Sequence, residues 1–171
     1  MNDVIKCLET RRSIKRYKSD PVPDALLSSV LEAGEFAPSG MGAQSPVFAA
    51  VTDKRLVEKL SRMNAAVMGT DRDPFYGAPC VIVVLADPGY PTWVEDGSLV
   101  LGNLLNAAHA EHLGSCWINR AREMFDTQEG KALLRQWGIP EHYRGIGCCI
   151  LGYANEAPAP KERAANRIWK I

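Results

Sequence analysis

The chain has no excess of either charge. Its 171 residues carry 20 Lys and Arg against 20 Asp and Glu. That balance argues against non-specific binding to nucleic acid or to an anionic membrane, and it leaves self-association unopposed. Long apolar runs are missing. The most continuous one, Cys80 to Ala86, is far too short to span a bilayer. No N-terminal apolar segment has the pattern of a signal peptide, so the expected location is cytoplasmic. Cysteine is sparse: the five thiols, Cys7, Cys80, Cys116, Cys148 and Cys149, are odd in number and show no C-x-x-C spacing. All but Cys7 sit in apolar surroundings, so they are expected to be reduced core residues. Neither the thiols nor His109, His112 and His142 have the spacing of metal ligands, and no metal is expected.

Catalytic motifs are equally scarce. There is no G-x-S-x-G and no H-E-x-x-H, which gives no support for a hydrolase of either type. There is no G-x-G-x-x-G and no Walker ending, so neither a Rossmann site nor a P-loop is supported. His109 and His112 read as structural or surface groups, and Glu95 and Asp96 as capping carboxylates. If such a chain is an enzyme, a cofactor carries its chemistry and the protein positions it.

What the chain does have is two basic clusters. Arg11-Arg12-Ser13-Ile14-Lys15-Arg16 lies near one end and Pro160-Lys161-Glu162-Arg163 near the other. Guanidinium suits phosphate as a planar fork, and ammonium as a point charge. In extended backbone Arg11, Ser13 and Lys15 share one side, with Ile14 turned to the core. One ligand could meet all three, with its phosphate at one end and an electron-rich ring at the other. The competing reading is that both clusters are solvated ends of a helix and a tail.

The periodicity predicts an α+β fold with a mixed central sheet flanked by helices. Asn2 caps a helix with Val4, Ile5 and Leu8 on one face. Pro21 and Pro23 open a second helix carrying Leu27, Val30, Leu31 and Gly34, which Ala37-Pro38 stops. Residues 38–46 read as a loop whose Gly40 and Gly42 permit close backbone approach; alone, such a loop is often only a turn. Strands are expected at 47–51, 80–86, 115–118 and 146–153, the second covered on both faces. Helices are expected at 53–66, from Asp96 to Leu113, and after an Asp126-x-x-Glu129 capping box. The Asp96 helix is apolar almost all round, which calls for burial by its own domain or by a partner subunit. Residues 67–77 read as loop. Residues 1–171 form one domain, with 154–171 an arm that cannot build a core. Its Ile168-Trp169-Lys170-Ile171 could pair on some sheet edge.

The ordered set of Arg11-Arg12-Ser13-Ile14-Lys15, Ala37-Pro38-Ser39-Gly40, Gly77-Ala78-Pro79, Asp96, Leu113 to Ile118, Ile150-Leu151-Gly152-Tyr153 and Pro158-x-Pro160-Lys161-x-Arg163 resembles the FMN-dependent nitroreductase family, as a small single-domain member. The resemblance implies a homodimer with C-terminal arm exchange and FMN in each of two clefts between subunits. It assigns cofactor binding to Arg11, Arg12, Ser13, Lys15, Pro38, Ser39, Gly40, Ile118, Asn119, Lys161 and Arg163. Arginine and serine hold the phosphate with Lys161 and Arg163, and Lys15 approaches the ring. Pro38, Ser39 and Gly40 reach the flavin from the other subunit, and Ile118 and Asn119 approach its edge. Gly42 stands where many members have an asparagine against the flavin. Residues 67–77 and 87–94 offer little material for the helical excursion that covers the substrate in larger members. Tyr90 and Trp93 are expected to line the entrance instead.

The activity so implied is reduction of a nitroaromatic, quinone or related small acceptor by NADH or NADPH through FMN, with ping-pong kinetics and no catalytic side chain. Two other readings stand beside it: the same fold with dehydrogenation, dehalogenation or flavin fragmentation, and a non-catalytic flavin-binding protein.

Overall fold

The computed structural model describes residues 2–171. Helix α1 spans Asp3–Thr10, and the Asn2 side chain accepts from the Val4 N–H at 2.9 Å, as its capping residue type favours. Helix α2 spans Asp24–Glu35 after Pro23, which sits at the cap position rather than inside the first turn. Strand β1 (Pro46–Val51) and helix α3 (Lys54–Met68) follow, with Asp53 capping α3 through the Leu56 N–H. Strand β2 occupies Cys80–Ala86 and is buried throughout. Helix α4 spans Trp93–Ala110 and strand β3 Gly114–Ile118. Two short helices, α5 (Ala121–Asp126) and α6 (Gln128–Trp137), lead to strand β4 (Arg144–Gly152).

The sheet order is β1-β2-β4-β3, and every pairing of strands is antiparallel. The expected mixed sheet is therefore corrected to an antiparallel one. The expectation rested on β2 being apolar on both faces, which is common in parallel sheets. Here two layers of helices produce the same burial around antiparallel strands. Val81, Val83 and Leu85 pack with Leu60, Met124, Phe125 and Leu134 from α3, α5 and α6. Ile82 and Val84 face the other way, onto Val30 of α2 and Leu101 and Leu104 of α4. At Gly145 the backbone of β4 passes so close to α5 that a Cβ would lie 2.2 Å from the Ala121 carbonyl oxygen. Only glycine permits that approach.

Two capping assignments are corrected. Asp96 lies inside the first turn of α4 and points into the protein, 2% exposed; Thr92 precedes the helix. Thr127, not Asp126, caps α6 by accepting from the Gly130 N–H at 3.0 Å, while Asp126 is drawn away to Arg144. No described helix is long and apolar enough to cross a membrane. The thiols are all free, and Cys80, Cys116, Cys148 and Cys149 are buried.

Residues 12–17 run extended beside the sheet. Ser13 forms an isolated parallel bridge with Ser115 of β3, and the Ile14 N–H donates to the Ser115 carbonyl at 3.0 Å. Tyr17 bridges Ala154 just beyond β4, and the Asn155 N–H donates to the Arg16 carbonyl at 2.9 Å. These contacts bring the two ends of the chain side by side. From Pro158 onward there is neither helix nor strand, and Ile168, Trp169 and Ile171 stand exposed.

Candidate functional site

The junction of these ends encloses a groove of about 820 Å³. Arg11, Arg12, Ser13 and Lys15 enter it from the extended segment, Ile118 and Asn119 from the end of β3, and Lys161 and Arg163 from the arm. The end of α3 adds Met68, and the connection from α3 to β2 adds Arg72, Asp73, Pro74 and Tyr76. The lining thus holds seven basic side chains (Arg11, Arg12, Lys15, Arg72, Arg120, Lys161, Arg163) against two carboxylates (Asp73, Glu156).

Both carboxylates are already engaged. Asp73 accepts from the Phe75 N–H at 2.8 Å, the Gly77 N–H at 2.6 Å and the Ser61 hydroxyl at 2.5 Å. Glu156 accepts from the backbone N–H of Lys15 at 2.5 Å. None of the ion pairs among the described residues uses any of the seven cations. Arg12 donates from one nitrogen to the carbonyls of Glu9 and Arg11, yet its Nε is buried with no acceptor. A donor set this rich, with an orphaned guanidinium N–H, is matched to an anion that the chain does not itself supply. Ile14, 7% exposed, anchors the segment against Gly114, which leaves Ser13 and Lys15 exposed on either side of it. The Lys15 ammonium sits 5.5 Å from the centre of the Tyr76 ring.

No side chain in the groove is poised as a nucleophile. Burial pushes the Cys116 thiol up, only partly opposed by its Ser13 hydrogen bond and by Lys15 and Arg11, so it stays protonated. His109, at the end of α4, is held below its ordinary value by burial and then by Arg11, His112 and Arg12. Its Nε2 lies 2.9 Å from the Thr10 hydroxyl.

The remaining expected site residues lie outside the groove. Pro38, Ser39 and Gly40 belong to a loop with a single 3-10 turn, Gly40–Gly42, in which Met41 and Gly42 adopt left-handed backbone (φ 53° and 66°). Buried Asp96 props this loop: it accepts from the Gly40 N–H at 2.8 Å and from the Thr92 hydroxyl at 3.0 Å. A Cβ on Gly40 would lie 2.3 Å from the Thr92 oxygen. Tyr90 precedes α4 in a turn closed by its N–H to the Asp87 carbonyl. Trp93 is covered by the guanidinium groups of Arg122 and Arg144, 4.9 and 5.8 Å from its ring centre.

A family model described as the nitroreductase family matches residues 8–153. The chain belongs to that family. A candidate NADH dehydrogenase/NAD(P)H nitroreductase of Methanothermobacter thermautotrophicus is 32% identical to it, over 94% of this chain and 82% of the relative. An FMN reductase [NAD(P)H] of Bacillus subtilis is 34% identical, over 95% of this chain and 70% of the relative. A crystal structure of a nitroreductase with bound FMN from Bacteroides fragilis is 30% identical and covers 100% of both chains, with a TM-score of 0.90.

Within this nitroreductase fold, several groove residues that the sequence did not single out come from the connection after α3. Arg72, Asp73 and Tyr76 lie in a stretch with no periodicity, and only tertiary contacts bring them to the site. The usable signal was Asp73 followed four residues later by glycine, a pattern in which one carboxylate can gather several backbone N–H groups. Arg120 had a signal as well: it follows Ile118-Asn119, already singled out, and takes left-handed backbone (φ 78°) where the chain turns into α5.

Proposed function

We propose that this nitroreductase-family chain is an FMN-dependent oxidoreductase that takes electrons from NADH or NADPH and passes them to a small acceptor of the nitroaromatic or quinone class. The observation that carries this reading is the convergence of Arg11, Arg12, Ser13, Lys161 and Arg163, from opposite ends of the sequence, on a groove none of whose cations forms an ion pair among the described residues. Bound there, FMN would supply a two-electron carrier that meets donor and acceptor in turn, which gives ping-pong kinetics. The chain's own residues do the holding. Arg11, Arg12, Ser13, Lys161 and Arg163 bind the phosphate, Ile118 and Asn119 offer backbone groups, and Lys15 places positive charge beside the ring. That charge favours the reduced cofactor, on which negative charge develops.

The functional unit in this reading is a homodimer. Val4, Ile5 and Leu8 leave the apolar face of α1 exposed at 66, 47 and 50%, and Phe36 at the end of α2 is 79% exposed. A second copy covers such faces. It also brings its Pro38-Ser39-Gly40 loop, with Tyr90 and Trp93 nearby, toward the groove of the first. The arm, residues 154–171, reaches across with Trp169 as its anchor, and residues 1–171 make one FMN-binding domain.

The test is the absorption spectrum of the purified protein, followed by anaerobic mixing with NADH and with NADPH. A flavin spectrum that bleaches on mixing is expected. Flavin bound without bleaching favours a binding protein. Bleaching that no nitroaromatic or quinone reverses favours the fold's other flavin chemistries. A colourless protein that FMN cannot reconstitute refutes all three. Sedimentation showing only an 18.8 kDa species removes the dimer.

A further inference from the structure

Tyr76 combines two features that seldom coincide. It is a bulky residue in left-handed backbone (φ 55°), followed by Gly77 in the same region (φ 71°). Glycine adopts that conformation freely, whereas a large side chain there is an outlier that its surroundings must impose. Here they do. The Asp73 carboxylate collects the N–H groups on both sides of Tyr76, those of Phe75 and Gly77, and ties the cluster to α3 through the Ser61 hydroxyl. Phe75 is 1% exposed, and its carbonyl accepts from the Ala78 N–H at 3.0 Å. The connection is therefore fixed on both sides of the ring, and the ring is turned into the groove.

What it meets there is the Lys15 ammonium, 5.5 Å from the ring centre and within cation–π range. Lys15 is otherwise held only by its backbone, whose N–H donates to Glu156. Its four-carbon stem would sweep a wide arc if left free. The Tyr76 hydroxyl makes no hydrogen bond among the described residues, so the ring face, not the phenol, does the holding.

We infer that Tyr76 is a positioning residue for the flavin reaction: the strained, Asp73-clamped ring confines the Lys15 ammonium so that its charge is presented to the cofactor. The inference rests on the FMN reading above and adds to it a residue that acts only through Lys15.

A mutant cycle in the FMN-loaded protein tests it, read by spectroelectrochemical midpoint potential rather than turnover. Lys15→Gln lowers the potential. Tyr76→Leu lowers it in the same direction by a smaller amount, about two- to fivefold in the ratio of affinities for reduced and oxidised FMN, as expected of a half-exposed cation–π contact. Tyr76→Phe, which keeps the ring, leaves the potential at the wild-type value. In the Lys15→Gln background, Tyr76→Leu adds no further shift. Tyr76→Asn serves as a second ring deletion, since asparagine tolerates left-handed backbone. An unchanged potential in both ring deletions, or equal shifts with and without Lys15, overturns the inference, as does an unchanged potential in Lys15→Gln. A wild-type protein that takes up no FMN overturns the proposed function as well. A loaded wild type sensitive to Lys15→Gln but not to Tyr76→Leu overturns the inference alone.

Discussion

Arg163→Ala is the sharpest perturbation of the proposed anion site, because Arg163 lines the groove while contributing little to the fold. Arg163 lies on the arm, exposed, and no hydrogen bond or ion pair is assigned to it among the described residues. Removing it should therefore leave the melting temperature of the FMN-free protein unchanged. Its loss from a bound phosphate should remove one charge-assisted contact, about 1.5–3 kcal/mol. The groove is open and Arg163 is hydrated before binding, so the lower end applies, about tenfold in Kd. The assay is quenching of FMN fluorescence on titration with the FMN-free protein at two ionic strengths. The tenfold loss should shrink at high salt, because screening weakens an exposed contact in the wild type too. Arg167→Ala is the control: Arg167 is an exposed cation four residues further along the arm and outside the groove. Unchanged affinity in Arg163→Ala, or an equal loss in Arg167→Ala, would show that the arm contributes only diffuse charge.

Three further outcomes are expected. Gly40→Ala places a methyl group 2.3 Å from the Thr92 oxygen, so Thr92 or the 38–42 loop must give way and, in the proposed homodimer, FMN affinity should fall; Thr92→Ala in the same chain should restore part of it, and no recovery would refute the steric account. Burial pushes Cys80 and Cys148 up to about 12 and raises Cys149 as well, so an aromatic disulfide reagent should modify no more than two thiols in the native protein and all five in denaturant. The Arg144 hydrogen bond holds the Asp126 carboxyl below its ordinary value. A depressed carboxyl contributes stability above its unfolded value, about 3.9, and loses it as pH falls through the lowered folded value. Asp126→Asn should thus lower the melting temperature at pH 7, by the equivalent of about 1 kcal/mol or less for a pair this exposed, and the two proteins should converge in strong acid; a gap that persists there would point to packing instead.

Local chemistry made much of the fold readable. The unbroken apolar run of β2 coincides with Cys80–Ala86, and Asn2 caps α1 as its residue type suggests. The two capping misreadings share one cause, a polar side chain claimed by a distant partner. Asp96 has the composition of a helix cap, but the Gly40 N–H, 56 residues away, takes its carboxylate inward. Asp126 closes α5 one residue before the α6 cap position, where Thr127 sits, and Arg144 on β4 holds its carboxylate. Helix α5 is six residues long, too short for a helical period to show, and it starts without a side-chain cap. Strand direction was not encoded in burial at all, since two helical layers hide both faces of an antiparallel sheet as completely as those of a parallel one.

The site divides along the same line. The Arg11 to Lys15 segment was readable because alternation in an extended strand is a local rule, and Ile14 supplied the anchor that fixes its phase. The 68–76 connection follows no such rule. Arg72 and Tyr76 reach the groove only because Asp73 gathers three donors, one of them from Ser61 in the middle of α3. A turn built by one carboxylate leaves a single residue as its sequence trace, whereas a helix leaves a stripe. The Pro38-Ser39-Gly40 loop is a third case: its residues are recognisable by type, yet within one chain they lie against Thr92 and Asp96 and away from the cations. In the proposed homodimer, that separation is what a site shared between two copies requires. The loop must be made rigid by its own chain, through Asp96, before it can serve the groove of the other. The same logic explains why a carboxylate with no cation beside it is buried at that position. It binds the backbone of a left-handed turn, where an apolar residue would leave the Gly40 N–H and the Thr92 hydroxyl without acceptors.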